Sequence, residues 1–247
     1  VVYNKNKTLK KEGMFNNNLI DVLGQIQGMT NSVILKYPQT VAVSESQDMM
    51  ALVDISKLDS DVFPDIGLKD SLGDLLSLFK LFPDERDIQV DANTISVSNA
   101  NTTSCYISDN IALMDAYNKD PEQFAKTETV PSVGTFDLTV QDIKSIKSAT
   151  GVFKDLSEII FISQDGDIKI SLGATNKFNA KSNTFSIQKG AVTTKEFEIK
   201  IPVENFKMLP LSDYEVQVKY NSERDSYRIL MLNKSLEGFK LLLSVKV

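Results

Sequence analysis

The chain has 247 residues, 42% apolar and 24% charged, a balance that can bury a core and excludes a disordered chain. Its 27 basic and 33 acidic side chains leave a net charge of −6, with one cysteine and no histidine. Those counts exclude an intrachain disulfide, a thiolate zinc cluster and the Ser/His/Asp and Cys/His catalytic arrangements. No run of about 18 apolar residues marks a transmembrane helix. The basic N-terminus VVYNKNKTLKK lacks a following apolar stretch of secretory type. A reducing, cytosolic setting is expected.

The first predicted helix is NNLIDVLGQIQ, where Leu19, Val22, Leu23 and Ile26 share a face. SVILKYPQTVAVSE follows as a predicted hairpin with Pro38 and Gln39 in its turn. GLKDSLGDLLSLFKLF then carries an apolar stripe of Leu68, Leu72, Leu75, Leu76 and Phe79. DIQVDANTISVSN sets Ile88 and Val90 against Ile95 and Val97 across a polar turn. DPEQFAKTETVPSVG reads as a linker. TVQDIKSIKSATG is the third helix, with Thr139 as N-cap, Asp142 three residues on, and Gly151 placed to stop it. EIIFISQDGDIKISL is a hairpin about Asp165-Gly166, since glycine accepts positive φ in the tight turn. PVENFKML gives one or two helical turns between Pro202 and Pro210. YEVQVKYNSERDSYRILML is a further hairpin, and GFKLLLSVKV a final strand.

A short amphipathic helix followed by antiparallel strands therefore recurs near Leu19, Leu68, Thr139 and Val203, twice on each side of the linker. This predicts an α+β chain of two similar domains, 1–128 and 129–247, each laying two short helices on antiparallel sheet. Two helices cannot cover broad sheets on both sides, so one sheet face must be solvated or meet another domain. Edge strands need pairing or protection, which either closure into a head-to-tail ring or a charge-guarded monomer would supply.

Catalytic and metal-binding patterns are missing. No Walker-type or G-x-G-x-x-G phosphate cradle occurs. Asp59, Asp61 and Asp65 lack the calcium-loop pattern and read as loop residues. QDGD at 164–167 reads as a turn, and Asp84, Glu85 and Asp87 as solvated surface. Cys105 has no histidine to activate it and reads as a small core thiol. No enzyme activity, metal or cofactor is expected.

The lysines offer more. Residues 1–128 hold eleven basic against nineteen acidic side chains, and residues 129–247 sixteen against fourteen. Lys69 and Lys80 lie off the apolar stripe of the second predicted helix, and Lys144 and Lys147 off that of the third. Lys154 follows the third and Lys207 sits in the fourth, while Lys10 and Lys11 precede the first. Any one of these reads first as solubilising surface. Together they make a helix-borne basic surface on an acidic chain, suited to phosphate contacts without base readout.

Four stretches carry a family resemblance: SVILKYPQTVAVSES, IQVDANTISVSNANTTSCY, TVQDIKSIKSATGVFKDLSEIIFISQDGDIKISLGATNK and FEIKIPVENFKMLPLSDYEVQV. They resemble the sliding clamp of the T-even bacteriophages, the DNA polymerase processivity factor. ENFKMLPLSDYEV is the most specific, because a short helix, Lys-Met and a proline-initiated turn fall together there. The resemblance covers most of residues 19–220.

That resemblance implies a homotrimeric six-domain ring around duplex DNA, with helices lining the hole and sheets outside. It implies tethering of the replicative DNA polymerase and docking of an ATP-dependent clamp loader through short tail peptides. Some relatives also tether late-transcription factors. It places the chain in the cytoplasm of the infected bacterial host, and Lys207 falls on the lysine of the family's fourth helix. The chain departs from the pattern at SATG, where the family's basic residues end the third helix, and in a first helix that offers only Asp21. A partner-peptide groove is expected near the linker, from Tyr117, Phe124, Val130, Val133 and Phe136. The competing reading is a viral structural or scaffolding protein of antiparallel β modules that does not encircle DNA.

Overall fold

The protein is described by a computed structural model over residues 15–83, 86–91, 93–173 and 185–246. Alternation in the sequence becomes sheet, and the long apolar runs become its doubly buried centre. The central sheet has seven antiparallel strands. In spatial order they are β12 (Val192–Thr193), β8 (Ser132–Leu138), β14 (Tyr214–Asn221), β15 (Ser226–Asn233), β16 (Phe239–Ser244), β3 (Met49–Asp54) and β2 (Gln39–Val43). Strands from both sides of residue 128 thus share one ladder, joined where Leu241 of β16 faces Ala51 of β3.

One face of this sheet packs into the main core. Ala42, Ala51, Val53, Phe136, Val216, Val218, Ile229, Met231, Leu241 and Leu243 point that way, at the period of two that a pleated strand imposes. Their neighbours Val41, Val43, Leu52, Leu230 and Leu242 form a second cluster on the opposite face. Both faces of the middle strands are therefore apolar, which accounts for the unbroken runs RILML and KLLLS.

Three smaller sheets flank the seven-stranded one. β1 (Val33–Leu35) pairs with β4 (Ile66–Leu68). β5 (Asp87–Asp91), β6 (Thr94–Ser98) and β7 (Thr103–Ile107) form a meander, with Ile88 against Val97 and Val90 against Ile95 as expected. β9 (Glu158–Gln164), β10 (Asp167–Gly173), β11 (Ser186–Gly190) and β13 (Phe197–Pro202) make the fourth sheet, in the order β11-β10-β9-β13. The Asp165-Gly166 turn joins β9 to β10, both residues having positive φ (52° and 86°).

Four helices fall where the periodicity puts them: α1 (Asn17–Gln27), α3 (Leu72–Lys80), α5 (Val140–Val152) and α6 (Val203–Lys207). α1 packs on α3, and α5 on α6. α5 runs through Gly151 and ends at Phe153. A short turn, α2 (Ile55–Leu58), follows β3. No helix among the described residues is long and apolar enough to cross a membrane.

Three expectations need correcting. GLK at 67–69 is not the start of a helix: Gly67 and Leu68 belong to β4, and α3 begins only at Leu72. SVILKYPQTVAVSE is not a hydrogen-bonded hairpin. Pro38 cannot donate to a ladder, and the turn is closed by Thr40, whose Oγ1 accepts from Lys36 N at 2.7 Å. β1 is thereby released to pair with β4, and β2 with β3. The linker stretch holds a helix, α4 (Glu122–Glu128), followed directly by β8. α4 covers the outer apolar cluster with Phe124, 1% exposed among Val41, Val43, Leu52, Leu230 and Leu242. The sheet face that two helices could not cover meets the linker.

Phe124→Ala removes this ring from a closed apolar cluster. The expected cost is about 3–5 kcal/mol of folding stability, measured by denaturant unfolding.

Candidate nucleic-acid interface and docking surface

The helix pair α5–α6 is held by polar contacts from the segment LPLSDY. Thr139 caps α5, accepting from Asp142 N at 3.2 Å, while the Asp142 carboxylate accepts from Thr139 N at 2.8 Å. Asp213 Oδ1 takes the next amide, Val140 N, at 2.7 Å. Lys147 Nζ donates to the Leu209 carbonyl just beyond α6 at 2.6 Å. The buried Tyr214 hydroxyl donates to Pro210 O at 3.2 Å, and burial raises its pKa. These bonds fix the spacing of the two helices before any ligand is considered.

The outward face of α5 then presents Gln141, Lys144 and Ser148, opposite buried Ile143, Ile146 and Ala149. Lys144 is exposed, and Lys154 is exposed just after the helix. Lys207 is exposed at the end of α6 and pairs with Glu204 at 2.9 Å. Lys80 is exposed at the end of α3. These four occupy helix surfaces or helix ends, as the sequence suggests.

Other candidates sit elsewhere. Lys69 lies in the loop between β4 and α3, where its amide donates to Asp109 Oδ2 at 2.8 Å. Lys147 is half-buried, burial lowers its pKa, and its ammonium is committed to Leu209 O, so it is a strut between helices. Lys10 and Lys11 lie outside the described residues.

α1 exposes Asn17, Asn18, Asp21 and Gln27, without a cation. Between α1 and α3 lies a cleft of about 470 Å³ lined by Asn17, Asp21, Lys80 and Arg86. The Arg86 guanidinium donates to Asn17 Oδ1 and stands 5.9 Å from the Phe79 ring centroid. Arg86 was hidden in the sequence by the charge run PDERD, which reads as solvated surface. Asp59 is 4% exposed and has a structural use, its carboxylate accepting from the amides of Asn16 and Asp61.

The expected peptide groove does not form from its five residues. Phe124, Val133 and Phe136 are 1%, 7% and 3% exposed. Phe124 plugs the outer cluster, Val133 enters the main core, and Phe136 lies 6.1 Å from Phe161 in that core. Aromatic content marked this segment, but those rings pin it down. Tyr117 and Val130 remain accessible on either side of α4. Tyr117 borders a cleft of about 330 Å³ with Ile34, Val41 and Pro121. Val130 borders another of about 320 Å³ between α4 and the β14–β15 hairpin.

At the outer margins of the flanking sheets, β7 and β11 are edge strands. Cys105 is exposed on β7 and not in a core. Ile107 beside it is 75% exposed.

This arrangement of sheets, helices and covering linker has solved counterparts. The chain has the sliding-clamp fold. It superposes on the proliferating cellular nuclear antigen of Entamoeba histolytica with TM-score 0.64 and 10% identity, covering 93% of this chain and 95% of that one. For the A. fulgidus PCNA, solved with the C-terminal region of FEN-1, the TM-score is 0.62 at 14% identity, covering 93% and 95%. The DNA polymerase sliding clamp of Caulobacter crescentus gives 0.61 at 9% identity, covering 92% of this chain and 63% of that one. No family model matches the sequence, and no curated protein matches it. The α1–α3 and α5–α6 pairs are packed helix pairs of this fold.

The capping box also sets a pH dependence. Burial pushes the Asp142 carboxyl up, but hydrogen bonds from Lys189 and Thr139, with the Lys189 charge, outweigh it and hold the pKa below its usual value. A depressed carboxylate pKa stabilises the fold above the unfolded value, near pH 4, and that stability is lost as pH falls through the folded pKa. Asp142→Asn is expected to cost about 1–2 kcal/mol at pH 7. The difference should shrink in acid, as read by urea unfolding across pH 7 to 2.

Proposed function

We propose that the chain is a DNA sliding clamp, a ring subunit that encircles duplex DNA and tethers the replicative polymerase. The observation that carries this reading is the clamp fold across 93% of the chain, with β7 and β11 each paired on one side only among the described residues. Edge β7 of one subunit would pair with edge β11 of the next, head to tail, completing both sheets. Three chains, each with clamp domains at 1–128 and 129–247, would close a homotrimer in the cytoplasm of an infected bacterial host.

A closed ring stays on DNA by topology, so it needs no tight contact. Lys80, Lys144, Lys154 and Lys207 supply weak phosphate attraction from the helix surfaces, and an acidic remainder disfavours DNA elsewhere. The chain carries out no reaction in this reading. An ATP-dependent loader opens the ring, and polymerase, loader and late-transcription factors dock through tail peptides beside α4, at the Tyr117 cleft. The resemblance to T-even phage clamps supports these finer assignments.

Three experiments test the proposal. Native mass measurement is expected to give about 82 kDa, three chains of 27.5 kDa. Pairing Cys105, the single cysteine, with Gln188→Cys should yield covalently closed trimers on oxidation. Wild-type dimers linked through Cys105 would instead indicate a two-fold contact and defeat the ring. Separately, Lys80, Lys144 and Lys207 changed together to Glu should leave the melting temperature near wild type, since all three are exposed. The same variant should reduce polymerase processivity by about tenfold or more at moderate salt. Unchanged processivity would remove these lysines from the channel.

A further inference from the structure

The cleft between α4 and the β14–β15 hairpin is unlike the rest of this acidic protein. Lys126, Lys219, Arg224 and Arg228 line it, with Gln123 and Asn221 as neutral hydrogen-bonding groups, and no carboxylate does. Lys219 and Arg228 are direct cross-strand partners on the same sheet face. Like charges placed opposite one another destabilise a strand pair. Lys219 is also 6% exposed, and burial lowers its pKa. The charges of Glu128 and Glu215 act on Lys219 from a distance, but among the described residues no carboxylate forms a direct ion pair with Lys219 or Arg228.

The nearby carboxylates already have partners, Glu215 accepting from Gln217 Nε2 at 2.6 Å. Glu122 pairs with Lys126 at 2.6 Å on the helix surface. Glu128 pairs with Lys240 on the other side of α4. Lys219 Nζ reaches only the Glu128 carbonyl, at 3.3 Å, and Arg228 spends one N–H on Thr127 Oγ1 at 3.4 Å. A guanidinium has five donors, so most of Arg228 is uncommitted. The Arg224 guanidinium, at the hairpin tip, has no side-chain partner among the described residues.

We propose that this cleft is a docking site for an acidic segment of a partner protein, its carboxylates seated between Arg224, Arg228 and Lys219. Bidentate guanidinium–carboxylate pairs suit two arginines on one rim. The cleft holds about 320 Å³, room for one or two acidic side chains. It is a short open recess and not a stripe, whereas strand-tracking nucleic-acid sites are long basic grooves with stacking platforms. The site lies on the outer sheet face beside α4, away from the α1–α3 and α5–α6 pairs. It does not rest on the ring reading, and its failure would leave the subunit mass and processivity tests untouched.

The test uses the full chain and a fluorescein-labelled twelve-residue peptide carrying four consecutive Glu residues, titrated by anisotropy at low salt. Its Gln counterpart and a labelled DNA duplex serve as comparison probes. The Glu peptide should bind saturably, and the Gln peptide at least about tenfold more weakly. Arg224→Glu with Arg228→Glu, both exposed, should abolish the binding with native mass and circular dichroism unchanged. Lys144→Glu on the helix face should leave it unchanged. Equal binding of both peptides, no saturation below about 1 mM, or full retention in the double variant would overturn the proposal. So would a double variant that lost duplex binding while keeping the peptide.

Discussion

The antiparallel ladder between β16 and β3 is the contact on which the rest of the molecule depends. It joins the last strand of the chain to the third, so strands from both halves become one sheet. Once they do, the sheet has an apolar inner face and an apolar outer face, and each needs a cover. The main core buries the first. The second explains why the connecting segment cannot be a loose tether: α4 has to lie across the outer cluster, with Phe124 inserted. Even the basic cleft is a by-product, formed where α4 ends against the β14–β15 hairpin.

The helices obey a similar logic at smaller scale. α6 has five residues and little intrinsic stability. It is placed by Lys147 on Leu209, and the segment that follows it by Tyr214 on Pro210 and Asp213 on the first amide of α5. The most specific stretch of the sequence resemblance is thus a structural lock. Its lysine Lys207 is left exposed, while the neighbouring candidate Lys147 is consumed in the lock.

What could be read from the sequence follows from the range of each signal. α1 and α5 carry several apolar residues at helical spacing, and Thr139 caps α5 as expected, so both starts are legible, whereas α5 runs through Gly151, the residue expected to stop it. Asp165-Gly166 marks its hairpin because the turn demands positive φ. α4 escaped because it buries one aromatic and Thr127, which is too little to make a stripe. Pro38 looked like a hairpin turn because local sequence does not reveal that β1 will pair with β4. Tyr, Phe and Val near the linker signalled apolar burial, but composition does not separate a groove lining from an anchor. Lys126, Lys219, Arg224 and Arg228 span about a hundred positions, and only the long-range fold assembles them.

The manner in which α4 is fastened has a consequence for motion. One ring holds it at the centre, and at its margins are the Lys240–Glu128 pair and weak contacts from Lys219 and Arg228. Beneath it, β15 and β16 are tied by ladders on both sides. Lifting α4 therefore breaks one apolar contact and a few solvent-facing bonds, whereas exposing the strands below requires the sheet to come apart. Amide protons of the linker helix are expected to exchange faster than those of the strands beneath it. A ligand bridging α4 and the hairpin tip would slow the first without altering the second.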